Sequence, residues 1–429
     1  MTVTDARSTD PEPPGPAARP TARAAEQTTN PRYRMWLAAW PVVAVFILSN
    51  AATPLYVLWQ HDIGFSKGTM TVVFACYIAG LLGSLLVSGL ASDRWGRRRV
   101  MVPALILALV ACGLFASANT VPALMIARLC TGIAVGAAVS AGMAAVTDVA
   151  GSRDTSRAAL IASCAMVFGA GLGPLLSGVM SQTLPAPTTL VFAVEAALLI
   201  TALLVVVRLP LPRPPASSSG AWIRIPAVPR GAGRYLLPGI AAFAPGITAT
   251  SFVLSLGPAL LSGLLHTGTR IVAGAMAFAM FLTATGVQFA VRALGRRTIL
   301  LSSIGATGVS MISLITAVHT GEIPALAAAA LLAGAGQGLG QLGGLSLLNA
   351  NIPGRRLAEA NAALNVGGYL PAGLLPVSAG YLSDAIGLSM GTTIFGIVLI
   401  TMAVFATPAI LSAMRESSPS EETGAVTRP

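Results

Sequence analysis

The stretch that decides the fold is Gly89-Leu-Ala-Ser-Asp93-Arg-Trp-Gly96-Arg97-Arg98-Arg99, a polar turn between two long apolar runs. The flanking runs, residues 69–91 and 99–118, each hold about the 20 residues that a helix needs to cross ~30 Å of hydrocarbon. Asp93 ends the first helix, where the helix dipole disfavours a carboxylate, so it needs arginines or a neighbouring helix N-terminus nearby. Gly89 has no side chain and lets another helix approach closely.

The composition of the whole chain indicates the same environment. Of the 429 residues, 55% are hydrophobic and 10% are charged, whereas soluble domains carry roughly 25% charged residues. The apolar excess is therefore predicted to face lipid. The net charge of +11 does not indicate a nucleic-acid partner, because the basic residues lie in the gaps between apolar runs and form no stripe with aromatic residues.

Twelve apolar runs follow one another, each long enough to cross a bilayer. We number them spans 1 to 12 and predict helices at 36–58, 69–91, 99–118, 121–148, 157–183, 187–208, 235–264, 270–292, 298–319, 323–350, 357–383 and 388–413. Two predicted connections, at 117–121 and 182–187, are so short that a merged helix there would alter the count.

Polar segments divide these spans six and six. Residues 1–34 are predicted to be a disordered tail, since they contain no apolar core of a signal peptide. A Pro-, Ser- and Arg-rich linker at 209–234 separates a six-helix bundle at 35–208 from a second at 235–413, and a short tail follows at 414–429. The prediction is an all-α membrane protein with twelve transmembrane helices in two six-helix bundles.

The distribution of basic residues predicts the orientation of these helices. With the N-terminus inside, 23 of the 26 Lys and Arg fall on one side of the membrane. Only Lys67 and Arg270 fall outside, and Arg128 lies within a span. Because basic loops stay in the cytoplasm, both termini of this multi-pass protein are predicted to be cytoplasmic, with the chain in the cell membrane.

Three short similarities relate each half of the chain to the other. They pair Gly96–Arg98 with Gly295–Arg297, Gly132 and Gly136 with Gly336 and Gly340, and Pro174–Gly178 with Pro376–Gly380. Each pairing matches a span to the one six places later, at a separation of about 200 residues. Together they indicate a duplicated six-helix unit.

The quoted turn resembles motif A of the major facilitator superfamily, whose Gly, Asp, Gly and basic positions are filled by Gly89, Asp93, Gly96, Arg97 and Arg98. The resemblance extends along the chain through the six-plus-six layout and implies the fold of that superfamily. In the family the Asp meets the start of helix 11, here near Leu357, and latches the two halves on the cytoplasmic side. The positive-inside rule alone would explain the arginines but not the glycine and the aspartate.

Asp148, at the cytoplasmic end of span 4, has two interpretations. It could join the charged network of Asp93 and Arg97, or it could be a solvated helix end.

Span 4 also carries Arg128-Leu-Cys-Thr-Gly132-Ile-Ala-Val-Gly136, which resembles motif B of proton-coupled members. At 1.5 Å per residue, Arg128 lies ~10 Å below the outer surface. An arginine near the membrane centre costs about 2.5 kcal/mol or more unless it faces water, a cavity or a partner. Arg128 is therefore a candidate for transport or coupling, and the alternative is a side chain that snorkels to the outer headgroups.

Span 5 carries Gly169-Ala-Gly171-Leu-Gly173-Pro174-Leu-Leu-Ser-Gly178, which resembles motif C, characteristic of antiporters and largely absent from importers. The glycines at 169, 173 and 178 permit close helix packing and Pro174 permits a bend, so we predict a hinge here. The alternative is the small-residue packing of any helical bundle.

Glu195 in span 6 is the deepest acidic residue and lies at about the depth of Arg128. Ionisable residues in a membrane mark proton pathways, so Glu195 is a candidate for proton coupling. Structural pairing and snorkelling are the alternatives.

Six polar residues are candidates for lining a substrate cavity, and each would serve equally as a hydrogen-bonding contact between helices. They are Asn50 and Tyr56 in span 1, Gln337 and Gln341 in span 10, and Asn361 and Asn365 in span 11.

No metal site or catalytic site is predicted. The four cysteines lie in apolar runs, as small buried hydrophobes do, and the three histidines have no metal-ligand spacing. No HExxH, Walker loop or GxSxG with suitable partners occurs. Neither an enzyme nor an ATP-driven pump is expected, and a receptor-like sensor is the remaining class outside transport.

The three motifs together imply, by resemblance, a secondary active transporter that exports a small drug-like or metabolite molecule by proton antiport. The expected energy source is the proton gradient, with no cofactor, and the expected state is a monomer in the lipid bilayer with a small-molecule substrate. The alternative is a facilitator or a proton-coupled uptake symporter.

Overall fold

The computed structural model describes residues 31–150, 154–211, 233–263, 269–291 and 293–416. Within these ranges all regular structure is helical, which confirms the predicted class. The helices are α1 Pro31–Ala51, α2 Tyr56–Ile63, α3 Lys67–Trp95, α4 Arg97–Ala116, α5 Val121–Ala137, α6 Met143–Ala150, α7 Thr155–Thr183, α8 Pro187–Arg208, α9 Gly233–Gly263, α10 Arg270–Ala290, α11 Arg296–Thr320, α12 Ile323–Asn351, α13 Gly354–Ile386 and α14 Leu388–Glu416. Most of the predicted tails and linker lies outside the described residues.

The described helices supply the twelve predicted spans. Eleven segments are long and apolar enough to cross a membrane, two of them running through short 3-10 or π-helical turns. The remaining one, span 11, is α13, which has 33 residues but is less apolar because it contains several Gly, Asn, Tyr and Pro residues. The two short connections do separate helices, since α5 begins at Val121 and α8 begins at Pro187.

Span 1, predicted as a helix over 36–58, runs over Tyr33–Ile63 and is interrupted by a short 3-10 turn. The first helix ends at Ala51, a 3-10 turn follows at Thr53–Leu55, and α2 then continues to Ile63. Pro54 explains the break, because it has no backbone N–H and its ring clashes with the preceding turn of a helix.

One helix is central in each half. The most apolar window of the first span, Tyr33–Ile63, is 83% buried, and that of α9 in the second half is 89% buried. The corresponding value for α8 and for α14 is 33%. The first and seventh spans therefore form the centres of their bundles, and the sixth and twelfth present broad faces to the surroundings.

Glycines hold the helices of each bundle in close contact. In the first half, a Cβ atom at Gly132 would lie 2.8 Å from the backbone nitrogen of Leu81, and one at Gly136 would lie 2.9 Å from the Leu81 oxygen. In the second half, Gly334 and Gly338 of α12 meet the backbone of α10 in the same way. The glycines equivalent to 132 and 136 by packing are therefore 334 and 338, two residues before those paired from the sequence. Every second residue from 334 to 340 is glycine, so the sequence alone is compatible with both pairings, that with 334 and 338 and that with 336 and 340.

Charged side chains distinguish the two ends of the molecule. The arginine-rich end is the end that holds Asp93, Arg97 and Asp148. The opposite end holds Lys67, Arg270 and Asp384. The two halves contact each other mainly through two helix pairs, α7 with α10 and α3 with α13.

We expect the substitution Gly338→Ala to destabilise the second bundle, because its new methyl group would meet the backbone of Ala284 in α10. Overpacking of this kind costs about 1–3 kcal/mol. The matched control is Gly308→Ala in α11, where a Cβ atom would meet nothing within 4 Å. This variant should keep its stability or gain up to about 1 kcal/mol, because alanine favours a helix more than glycine does. Thermal unfolding of the purified protein in detergent measures both, and equal stability of the two variants would contradict the packing.

Candidate functional site

The break in the first span creates acceptors at membrane depth. The last carbonyl groups of an α-helix have no intrahelical donor and need other partners. Two such groups at the end of α1 accept hydrogen bonds from neighbouring helices. Arg128 Nη1 of α5 donates to the Ser49 oxygen at 2.7 Å, and Ser177 Oγ of α7 donates to the Ala51 oxygen at 2.5 Å. The break in span 1 is thus linked to spans 4 and 5.

A second proline frees another acceptor close by. Pro174 lies inside α7, and because it lacks an N–H, the carbonyl of Ala170 one turn earlier loses its intrahelical donor. Asn50 Nδ2 donates to that carbonyl at 3.4 Å and to Ser49 Oγ at 3.0 Å. The structure thus gives Asn50, predicted as a cavity candidate, a contact between helices.

Arg128 is buried in an aromatic surround. The side chain is 0% exposed, so it does not snorkel to the surface of the described residues. Its guanidinium carbon lies 5.0 Å from the ring centroid of Tyr56, 5.8 Å from that of Phe74 and 5.7 Å from that of Phe115. Such contacts are worth about 2 kcal/mol when desolvated. Within the described part of the chain, Nε and Nη2 have no hydrogen-bond partner.

Glu195 lies inside the first bundle and forms no described ion pair with Arg128. Its side chain is 3% exposed, and Oε2 has no hydrogen-bond partner among the described residues. Phe192, one turn earlier on α8, stacks on Phe115 at 4.7 Å and on Trp59 at 6.0 Å. The described ion pairs do not include Glu195. The aromatic rings of Phe192 and Phe115, and not an ion pair, therefore connect the surroundings of Glu195 to those of Arg128.

A charged network occupies the arginine-rich end. Arg97 donates from Nη1 to Asp93 Oδ1 at 2.5 Å and to Ser92 Oγ at 2.9 Å, and from Nε to Asp148 Oδ2 at 3.0 Å. Asp148 therefore bonds to Arg97 and is also exposed at the helix end, so each of its two interpretations describes part of its surroundings. Ser92 was not predicted, because a lone serine near a helix end carries no distinctive pattern.

The turn between α3 and α4 depends on a glycine. Gly96 has φ 96° and ψ 151°, a backbone conformation that residues with a side chain rarely adopt. Gly89 lies in α3, and Arg98 is exposed at the start of α4. Asp93 is predicted to meet the start of helix 11 near Leu357, where the side chains of residues 354, 355 and 358 lie outside the described part of the chain. The latch itself remains a prediction.

The predicted hinge helix α7 makes close contacts on two sides through its glycines. A Cβ atom at Gly169 would lie 2.6 Å from the Val43 oxygen of α1, and one at Gly173 would clash with the Ile47 oxygen of the same helix. On its other side, a Cβ atom at Gly178 would lie 2.6 Å from the Arg270 oxygen of α10. The glycines thus join the centre of the first bundle to the second half of the chain.

The other polar candidates are spread over both halves. Tyr56 is fully buried beside Arg128. Gln337, Gln341, Asn361 and Asn365 are half-buried in the second half. Asn365 donates to the Asn361 backbone oxygen at 3.0 Å, whereas the side-chain oxygens of Gln337 and Asn361 are buried without a partner among the described residues. The structure gives no single cluster that contains all six.

The comparison with protein families agrees with this architecture. A family model for the Major Facilitator Superfamily matches residues 36–292. The chain belongs to the major facilitator superfamily.

Curated superfamily proteins match a limited stretch of the chain. A 3-(3-hydroxy-phenyl)propionate transporter from Escherichia coli strain K12 is 35% identical over 114 residues, which is 26% of this chain and 27% of the relative. The major facilitator-type transporter psiT2 of Psilocybe cubensis is 29% identical over 126 residues, or 28% of this chain and 23% of the relative. The chain thus matches about a quarter of the length of these relatives.

Solved structures of superfamily transporters share the whole fold. A bacterial homologue of the lysosomal transporter Spinster, in an inward-facing and occupied conformation, has a TM-score of 0.72 and 12% identity, covering 90% of this chain and 98% of that one. A D-xylose-proton symporter has a TM-score of 0.64 and 17% identity, covering 88% and 97%. At these identities the likeness establishes the fold only.

We expect Ser177→Ala to destabilise the first bundle by about 1 kcal/mol, because it leaves the Ala51 carbonyl without its described donor at membrane depth. Ser181→Ala is the matched control on the same helix. That serine is equally buried, but its hydroxyl donates within α7 to the Gly178 oxygen. Thermal unfolding in detergent measures the difference, and equal effects would show that the link from α7 to α1 adds nothing to stability.

Proposed function

We propose that this transporter of small solutes exports a drug-like or metabolite molecule in exchange for protons, by alternating access. The observation that carries the proposal is the glycine-lined contact of α7 with both α1 and α10. It lies in the segment that resembles the motif characteristic of antiporters. Gly173 and Gly178 are so close to backbone atoms of other helices that no larger side chain fits.

The close contacts of α7 with α1 and α10 suit a helix that moves during transport while water and solute stay excluded from the interface. Backbones in direct contact exclude water and solute along their length, and small residues let helices slide with few side-chain rearrangements. The Pro174 peptide lacks one backbone hydrogen bond and is a point at which the helix can bend. We propose that α7 tilts about this point while remaining packed on α1.

Two buried ionisable groups are available for coupling. Glu195 has an unpaired carboxyl oxygen in an aromatic environment, and Arg128 has unpaired guanidinium nitrogens. An intramembrane carboxyl group without a fixed cation can take up and release a proton without breaking an ion pair. We propose Glu195 as the proton carrier and the proton gradient as the energy source, with no cofactor.

Uptake is the second candidate, and Arg128 favours it for one class of solute. A guanidinium group with free N–H groups, surrounded by aromatic rings, suits a solute that carries both a carboxylate and an aromatic ring. The Escherichia coli relative is named as a transporter of such a molecule. According to this second candidate function, the protein is a facilitator or a proton symporter that carries an aromatic acid into the cell.

We further propose a monomer in the cell membrane with both termini in the cytoplasm. The support for the orientation of the termini is the concentration of arginines at the end that holds Arg97, in accordance with the positive-inside rule. The arginine-rich end is then the cytoplasmic end.

Deletion of the gene, followed by a screen for resistance and for exported metabolites, tests export. We expect at least one compound to become more toxic or to accumulate inside the cell. In vesicles the same compound should move outward faster when a proton gradient is imposed. If no compound changes, export is overturned. If 3-(3-hydroxyphenyl)propionate moves inward instead, the second candidate is correct.

We expect Glu195→Gln to abolish substrate-dependent proton movement, because the amide cannot exchange a proton. Transport down a solute gradient should be retained. The control is Glu322→Gln, which removes an exposed carboxyl group at the opposite end of the molecule. A pH-sensitive dye inside vesicles reports the proton flux. An unchanged flux in Glu195→Gln would show that the coupling group lies elsewhere.

Arg128→Lys should reduce transport by about tenfold or more, because a lysine keeps the charge but not the fork of donors or the planar contact with the rings. Thermal unfolding of the same variant separates loss of function from loss of structure. Transport at the normal rate by a stable Arg128→Lys protein would exclude recognition by the guanidinium group.

A further inference from the structure

A second copy of the charged turn lies near the end of the chain. Gly380-Tyr-Leu-Ser383-Asp384-Ala-Ile-Gly387 repeats the Gly, Ser, Asp and Gly positions of Gly89-Leu-Ala-Ser-Asp93-Arg-Trp-Gly96 at the same spacing. Both segments end a long helix, α13 and α3, and in both the next helix begins at the following residue. The two turns lie at different ends of the molecule.

The backbone of the two turns is also the same. Gly387 has φ 92° and ψ 153°, compared with φ 96° and ψ 151° at Gly96. In each, the glycine N–H donates at 3.1 Å to the oxygen of the serine four residues earlier. The sequence similarity therefore reflects one local structure used twice.

Asp384 joins the two halves of the transporter. Its carboxylate accepts hydrogen bonds from the backbone N–H of Lys67 at 3.0 Å and of Gly68 at 2.8 Å, the first two residues of α3. The next N–H, of Thr69, donates at 3.1 Å to Ser66 Oγ. Because a helix N-terminus carries partial positive charge, it is a favourable partner for a carboxylate. The end of span 11 thus caps the start of span 2.

The helices approach closely at this point because two glycines face each other. A Cβ atom at Gly380 of α13 would lie 3.0 Å from the Gly68 Cα atom of α3 and 2.9 Å from Thr71 Cγ2. A Cβ atom at Gly68 would in turn clash with the Tyr381 ring. The approach lets the short Asp384 side chain reach backbone donors of the other half.

The two aspartates differ in what holds them. Arg97, four residues after Asp93, bonds to that carboxylate, whereas Leu388 occupies the equivalent position after Asp384. Both bonds that the structure describes for Asp384 go to α3. Asp384 is exposed, so these bonds can exchange with water when the helices separate.

We propose that Asp384 is a reversible latch that holds the two halves together at the opposite end, with Gly68 and Gly380 as the surfaces that meet. The latch is formed when this end is closed and is broken when it opens. The proposal rests on alternating access alone and is independent of the solute and of the direction of transport.

Distance measurements between spin labels test the latch. One spin label is attached at Thr183→Cys in the first half and the other at Glu322→Cys in the second half. Both positions are exposed and lie at the same end of the molecule as Asp384. The four native cysteines are replaced by alanine. We expect Asp384→Asn to raise the ratio of separated to closed molecules by about threefold to fivefold, since charge-assisted hydrogen bonds are replaced by weaker ones. Asp384→Glu, which keeps the charge, should give a smaller increase.

Two controls separate the latch from other effects. Ser66→Ala removes the hydrogen bond from the Thr69 N–H at the start of α3 without changing α13. Asp62→Asn removes a negative charge at the same end of the molecule, from a carboxylate whose described partner is His61. Neither should shift the distances. The proposal is overturned if Asp384→Asn leaves the distances unchanged, or if either control shifts them as much. The measurement needs neither substrate nor proton gradient, so its failure would leave the transport proposal intact.

Discussion

Backbone carbonyl groups at membrane depth must find hydrogen-bond donors, and the polar core of the first bundle is arranged around three of them. The end of α1 exposes the oxygens of Ser49 and Ala51, and Pro174 frees that of Ala170. Arg128, Ser177 and Asn50 supply the donors. Since an unsatisfied group in lipid costs several kcal/mol, this arrangement fixes spans 1, 4 and 5 against one another.

The contacts between the halves are of a different kind. Within the first half, the bonds around Arg128 are fully buried, and breaking them would strand a charge, so spans 1 and 4 stay together. The cap at Asp384, which joins the two halves, lies near solvent, where such interactions are worth about 1 kcal/mol or less. A transporter that changes its open side needs this separation, with strong bonds within each half and weak bonds between them.

The sequence predicts the features that depend on local composition. Apolar length gives the spans, and Pro and Gly mark the turns, so α8 begins and ends where expected. The break at Pro54 could have been predicted, because Pro has no N–H. The burial of Arg128 and Glu195 could not, since it depends on the rotation of each helix about its axis, and apolar residues on all sides of a membrane helix leave that rotation undetermined.

The second turn shows another limit of the sequence. The repeat of about 200 residues pairs each helix of the first half with a helix of the second half that runs in the same direction. It therefore identifies helices that pack alike in the two halves. Asp93 and Asp384 end helices of different halves at different ends of the molecule, so no shift of one half onto the other aligns them. Only the pairing of α3 with α13 brings them into relation. Each of these helices ends in an aspartate, and at Asp384 the partner is the start of the other helix. If Asp93 likewise meets the start of α13, one helix pair carries a carboxylate cap at each end, and opening one end while closing the other requires only that the two helices tilt against each other.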